Sequence, residues 1–220
     1  MPGIDTPRVI TPSQYAHVMF INNISEFDWN YVKINTGYQN HIDDAYYNEA
    51  TFSYKEIIPA LTNIYIKPQT SDTLVYNGLI DVQMAVPYTF ITYCTNDRIQ
   101  GMMLNDSIEN YSKSKAYFRC VHIGNEIPIV TFRIEDQYPI SISGAFRRAS
   151  QFKAVVESNT YKIGVYDIND TLIASINNIQ FQAGKAYTII LRGYYNGTGS
   201  TKPKLNLFIV DSDFWLKNGN

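Results

Sequence analysis

Two cysteines in 220 residues, Cys94 and Cys120, are too few for a disulfide framework. No stretch of 18 consecutive apolar residues occurs, so the chain codes no membrane-spanning helix. Its opening, Met-Pro-Gly-Ile-Asp-Thr-Pro-Arg, lacks the basic and apolar blocks of a secretory signal, which fits either a cytoplasmic protein or an exported one already trimmed. Histidine is scarce: His17, His41 and His122 offer no pair at a zinc-ligand spacing. There is no Gly-x-Ser-x-Gly elbow for a serine nucleophile. The glycines at 197 and 199 precede no helical pattern, so no phosphate cradle is expected. These absences argue against hydrolase, nucleotide and metal enzymes. No catalytic residue, no cofactor and no metal site is expected.

What the chain has is aromatic residues and repetition. It holds 18 Tyr and 11 Phe with only 17% charged residues, a composition suited to pleated, half-buried surfaces. Ala16-His17-Val18-Met19-Phe20-Ile21 is echoed by Ala116-Tyr117-Phe118-Arg119-Cys120-Val121. Pro87-Tyr88-Thr89-Phe90-Ile91 is echoed by Ala186-Tyr187-Thr188-Ile189-Ile190. An offset of about 100 residues reads as one module written twice. The two cysteines occupy non-equivalent positions of this repeat, which excludes an immunoglobulin-type disulfide inside either copy. A bridge between copies stays open, and buried, reduced thiols are the expected state.

Alternation of period two predicts strands over Tyr31–Asn35, Thr51–Lys55, Asn63–Pro68, Thr73–Tyr76 and Tyr88–Thr95 in the first copy. In the second it predicts Ile129–Ile134, Gln151–Val156, Tyr161–Tyr166, Thr171–Ile176, Tyr187–Arg192 and Leu205–Val210. Asn77-Gly78, Asn169-Asp170 and the loop 194–200 supply turn chemistry. Arg119 must reach water, so the opposite face, Phe118 and Cys120 with Val18 and Phe20, is assigned to the core. The predicted fold class is all-β, two tandem antiparallel immunoglobulin-like β-sandwich domains: a flexible, proline-containing leader 1–14, domain 1 over 15–112 and domain 2 over 113–220. The polar stretch Asn105–Ser114 is the linker, short enough for the domains to touch.

The segment Gln182-Ala183-Gly184-Lys185-Ala186-Tyr187-Thr188 has a physical reading of its own. Gly184 can take a left-handed turn conformation, and Tyr187 can fold over that turn and bond its hydroxyl to backbone, a tyrosine corner. In the first copy Tyr88-Thr89 persists but Ala85 replaces the glycine, which predicts a differently built turn. The same segment resembles the Ala-Gly-x-x-Tyr-Thr signature of the domain of unknown function 4397 family. The second copy's Arg119-Cys120-Val121-His122, followed by Glu126 and Pro128, is similar to that family's opening strand, and Phe146 to Phe152 looks like its middle strand. The first copy is more degenerate, with Asn22 in place of the histidine and Asp28 in place of the proline. The resemblance implies tandem immunoglobulin-like sandwiches in a secreted or lipid-anchored envelope protein, with the leader as a spacer behind a removed or lipidated N-terminus. It supplies no catalytic residues.

Candidate contacts are aromatic rings near loops: Trp29 and Tyr31, Tyr46 and Tyr47, Tyr194 and Tyr195, which could stack on sugars, anchor a protein, or cap the open ends of a sandwich. His122 is read as a hydrogen-bonded residue pinning a strand-to-loop turn. Hydrolase chemistry by paired carboxylates stays formally open at Asp43-Asp44 and Glu135-Asp136, but adjacent acids point apart and more often mark a solvated loop, and Asp167, Asn169 and Asp170 lack the glycine and terminal glutamate of a calcium loop. Charge divides unevenly: residues 15–112 hold 4 Lys/Arg against 11 Asp/Glu, a net of −7, and residues 113–220 hold 13 against 8, a net of +5. Opposite halves can attract each other within one molecule, associate head to tail between molecules in a salt-sensitive way, or present a basic face to an acidic polymer. Nucleic acid is a poor candidate at a pI near 5.9 with cations spread over strands. The expected function is a non-enzymatic cell-envelope or secreted binding or adhesion module whose partner is a surface polysaccharide or protein. A carbohydrate-binding surface lipoprotein and a structural spacer are the alternatives.

Overall fold

A computed structural model describes residues 15–24, 31–36, 39–46, 54–68, 74–109, 111–135, 140–155, 160–200 and 202–212. The leader 1–14, Trp29, Tyr47 and Trp215 lie outside these residues. Every regular element described is a strand: β1 Ala16–Asn23, β2 Tyr31–Thr36, β3 Gln39–Tyr46, β4 Lys55–Ile57, β5 Ala60–Pro68, β6 Tyr76–Val82, β7 Pro87–Thr95, β8 Arg98–Asn105, β9 Ala116–His122, β10 Ile129–Glu135, β11 Ile140–Ala145, β12 Arg148–Ala149, β13 Lys153–Val155, β14 Thr160–Tyr166, β15 Leu172–Gln180, β16 Ala186–Arg192 and β17 Asn206–Asp211. The all-β expectation holds.

Pairing among these strands stays within 15–105 or within 116–212. The first set forms sheets β4-β1-β7-β8 and β3-β2-β5-β6. The second forms β12-β9-β16-β17, with β13 also on β9, and β11-β10-β14-β15. Strands in matching sequence positions therefore hold matching places in the sheets. The sheets are not purely antiparallel, however. β1 runs parallel to β7, with Met19 opposite Thr89, and β9 runs parallel to β16, with Arg119 opposite Thr188. A parallel neighbour needs a long crossover, which the strands of the other sheet supply.

Among the described residues, three buried clusters hold the sheets together. Val18, Phe20, Ile64, Ile66, Phe90 and Cys94 belong to one, between the two sheets of the first half. Phe118, Cys120, Phe132, Ile163, Phe181 and Ile189 belong to the second, between the two sheets of the second half. The third joins the halves: Met19, Ile21, Ile91 and Tyr93 meet Val121, Ile123, Ile190 and Val210. Strands β1, β7, β9 and β16 are consequently buried on both faces, apart from the end of β7. The core faces follow the sequence reading, with one correction. Arg119 does not reach water: its face packs against the other half, and the residue is 2% exposed.

Two further corrections concern turns. Asn77-Gly78 lies inside β6, with Gly78 opposite Ile64. Its glycine answers a steric need, since a Cβ there would come within 2.1 Å of the Tyr76 hydroxyl oxygen. Asn169-Asp170 does turn between β14 and β15, and a hairpin turn not foreseen is Asn96-Asp97, both at positive φ (50° and 56°), which opens the unpredicted strand β8.

Candidate binding cleft at the junction of the two halves

The junction is built around Asp106, a polar residue of the predicted linker that the fold buries. Its Oδ1 accepts a hydrogen bond from Nη2 of Arg119 in a buried ion pair. Its Oδ2 accepts from the hydroxyls of Tyr54 and Thr89, both at 2.6 Å. Arg119 spends its other donors nearby, Nε on Thr188 Oγ1 at 3.0 Å and Nη1 on the Asn105 carbonyl at 2.9 Å, and its guanidinium lies over the Phe152 ring. Burial and the negative charge of Asp106 push the Tyr54 hydroxyl well above its ordinary pKa. A buried charge with these partners in place is geometrically exacting, and the cluster ties together the two inner sheets.

Further bonds cross between the halves. Arg192 Nη1 donates to Asn23 Oδ1 at 3.0 Å, Asn125 Nδ2 to the Cys94 carbonyl at 3.0 Å, and Arg147 Nε to the Tyr93 hydroxyl at 2.8 Å. The last two lie at the rim, where a cleft of about 480 Å³ opens between the Thr95–Asp97 turn of the first half and the loop Asn125–Pro128 of the second. Phe146, Tyr194 and Lys202 complete its wall. A second groove of about 440 Å³ shares Thr95 and Asn96 with it and runs past Arg98, Gln100 and Arg147. These volumes lie in the usual range of small-molecule sites.

The residues singled out from sequence fare differently. Tyr194 is 7% exposed, and its amide donates to the Pro203 carbonyl at 2.8 Å. It is therefore not a free contact ring but part of the cleft wall, with Lys202 Nζ 5.4 Å from its ring centre. Tyr195, 41% exposed, does face solvent. Tyr31 and Tyr46 stand opposite each other in the β2–β3 pairing.

Gly184 has φ 74°, and Tyr187 Oη accepts the Gln182 amide at 3.1 Å. Tyr88 Oη accepts the Gln83 amide at 3.3 Å in the same way. The first-copy turn is not built differently after all: Ala85 adopts φ 58°, the conformation of Gly184, despite its Cβ. A third corner, unforeseen, is made by Tyr117 and the Ser112 amide at 2.8 Å.

His122 is fully buried. Nδ1 accepts from the Gly124 amide at 3.2 Å, so Nε2 carries the proton and donates to the Ile127 carbonyl at 3.0 Å. Burial holds its pKa down at about 4. Asp167 closes its own turn, its Oδ1 accepting the amides of Asn169 and Thr171 at 2.8 and 2.9 Å, which lowers its pKa. Asp170 pairs with Arg133. Cys94 and Cys120 are buried free thiols in separate clusters, and burial pushes the Cys120 pKa up.

What the sequence reading missed was the cleft and its support: Asn96, Asp97, Asn125, Glu126, Asp106 and Arg119. The only local signal was the pair Asn96-Asp97 between two apolar runs.

No protein-family model matches the chain, and no curated protein matches it by sequence. Among solved structures, three crystal structures, each named a "putative cell adhesion protein", are similar over most of both chains. The one from Bacteroides ovatus shares 7% identity over 89% of this chain and 98% of its own, with a TM-score of 0.27. Those from Bacteroides eggerthii and Bacteroides uniformis share 8% and 6% identity over 92% and 91% of this chain and 97% and 98% of their own, with TM-scores of 0.27 and 0.24.

Proposed function

We propose that the chain is a non-enzymatic binding or adhesion module of the cell envelope, made of two immunoglobulin-like sandwiches of the domain of unknown function 4397 type in tandem. The reading is supported by matching sheet orders in the two halves and by the equivalent tyrosine corners at Tyr88 and Tyr187. One observation carries the functional part. Both halves contribute walls to a single cleft, and a buried ion pair with further cross-bonds joins the halves beside it. A recognition site prearranged in this way loses little ordering entropy on binding.

The test is retention of the purified chain on an array of surface polysaccharides and extracellular proteins. Retention that survives Tyr195→Ala but is lost when Asp97 and Lys202 are both changed to Ala supports the reading. Silence on the whole array favours the second reading, a structural spacer, which the rigid junction also suits. Small-angle scattering would then report one fixed two-lobed shape.

A further inference from the structure

The cleft is lined by an unusual backbone. Four residues other than glycine around it and its continuation hold positive φ: Asn96 at 50°, Asp97 at 56°, Glu126 at 68° and Arg147 at 61°. Asn and Asp tolerate this region, but Glu and Arg do so at a cost, and strain of this kind gathers at binding sites.

Several main-chain groups of the walls are already bonded. The Asn125 amide donates to Gly193 and its carbonyl accepts from Tyr195, at 2.7 and 3.2 Å. The Phe146 and Arg147 amides donate to Pro128 and His122, at 2.8 and 2.7 Å. Thr95 is paired with Arg98 in the hairpin. These bonded groups give a peptide no ladder on the cleft's own walls; the backbone edge nearby belongs to β8, which ends its sheet. Recognition falls to side chains: the amides of Asn96 and Gln100, the carboxylate of Asp97, the flank of Phe146, and the cations Arg98, Arg147 and Lys202.

Planar amide and carboxylate groups beside an aromatic flank suit a ring bearing many hydroxyls, since each group can give or take hydrogen bonds in a fixed plane. The charge balance adds to this. Three cations face two carboxylates, and one of those, Glu126, already accepts the Asn196 amide at 3.1 Å.

We infer that this junction cleft binds a carboxylated sugar residue of an acidic polysaccharide. The inference rests on the binding-module reading above and names the ligand class and the location. Arg98 and Lys202 would meet the carboxylate, Asn96 and Asp97 the hydroxyls, and the Arg147 guanidinium is oriented by Tyr93.

The experiment is calorimetric titration of the whole chain with an oligogalacturonate, with the same oligomer after reduction of its carboxylates to alcohols, and with poly-L-glutamate. Arg98→Ala and Lys202→Ala are exposed changes whose folding is checked by thermal melting. Expected are binding to the oligogalacturonate that weakens with salt, a loss of about tenfold or more for the reduced oligomer, and a loss of about tenfold in each variant. Equal binding of poly-L-glutamate would overturn the inference in favour of an acidic peptide. Undiminished binding by both variants would overturn the location. If neither oligosaccharide binds while the chain is still retained elsewhere on the array, the inference fails and the binding-module reading stands; silence in both experiments removes both.

Discussion

Breaking the Asp106–Arg119 pair from one side should be far more damaging than removing it whole. In Asp106→Leu, Arg119 keeps Thr188, the Asn105 carbonyl and the Phe152 ring, but its charge loses its counter-ion, and the Tyr54 and Thr89 hydroxyls lose their acceptor. Stranding one member of a buried pair costs about 3–5 kcal/mol. Arg119→Met leaves Asp106 with two hydroxyl donors and should cost about 3 kcal/mol, toward the low end of that range. The double variant carries Met at the position equivalent to Met19 of β1 and Leu in place of the acid, so neither charge of the pair is left stranded. Replacing both partners by apolar groups is often close to neutral, and the double change should cost at least about 2 kcal/mol less than the sum of the singles. Urea unfolding followed by far-ultraviolet circular dichroism measures all four proteins of the cycle. Additive costs, or an Asp106→Leu loss under about 1 kcal/mol, would refute the idea that this pair organises the junction.

The His122 imidazole is stable only when neutral, with a folded pKa near 4 against an ordinary 6.5. Its contribution is whole above pH 6.5 and drains away as pH falls toward 4, up to about 3 kcal/mol. His122→Asn should flatten that slope, because Asn22 at the equivalent place in β1 accepts the Ile24 amide at 3.0 Å as His122 accepts Gly124; an unchanged slope in pH-dependent melts would show that another group titrates. Ala85→Gly should stabilise the protein by up to about 1 kcal/mol and Gly184→Ala should destabilise it by about as much, since a Cβ at Gly184 meets nothing closer than 3.4 Å and only φ is at stake. Tyr187→Phe should cost about 1 kcal/mol through the lost bond to the Gln182 amide; a neutral result in denaturant titration would leave the corner without an energetic role.

The strand pattern was legible because pleated strands print their period on the sequence: Phe118 and Cys120 against Tyr117 and Arg119 give the face of β9 correctly. What the period cannot convey is what covers the other face. A strand with a second sheet behind it and a strand facing water both alternate, and Arg119 was read as solvent-facing because its neutralising partner lies in a polar stretch 13 residues away that looks like a linker. Asp106 carries no mark distinguishing it from the exposed acids around it. Glycine misled in a related way. Gly78 signalled a turn, yet it makes room for the Tyr76 ring, just as Gly101 in β8 makes room for Phe90, where a Cβ would lie 2.4 Å from the ring.

The same limit explains why the cleft was not foreseen. A loop aromatic is recognisable one residue at a time, whereas the cleft exists only where Asn96-Asp97 and Asn125–Pro128, about 30 positions apart and in different halves, are brought together. Such a site depends on the angle between the halves, to which the buried Asp106–Arg119 cluster contributes from outside the cleft lining. Loosening Asp106 should therefore weaken binding at the rim without touching it. The loss should scale with the destabilisation across the Asp106 and Arg119 variants, and intact binding in a variant with a loosened junction would separate the two.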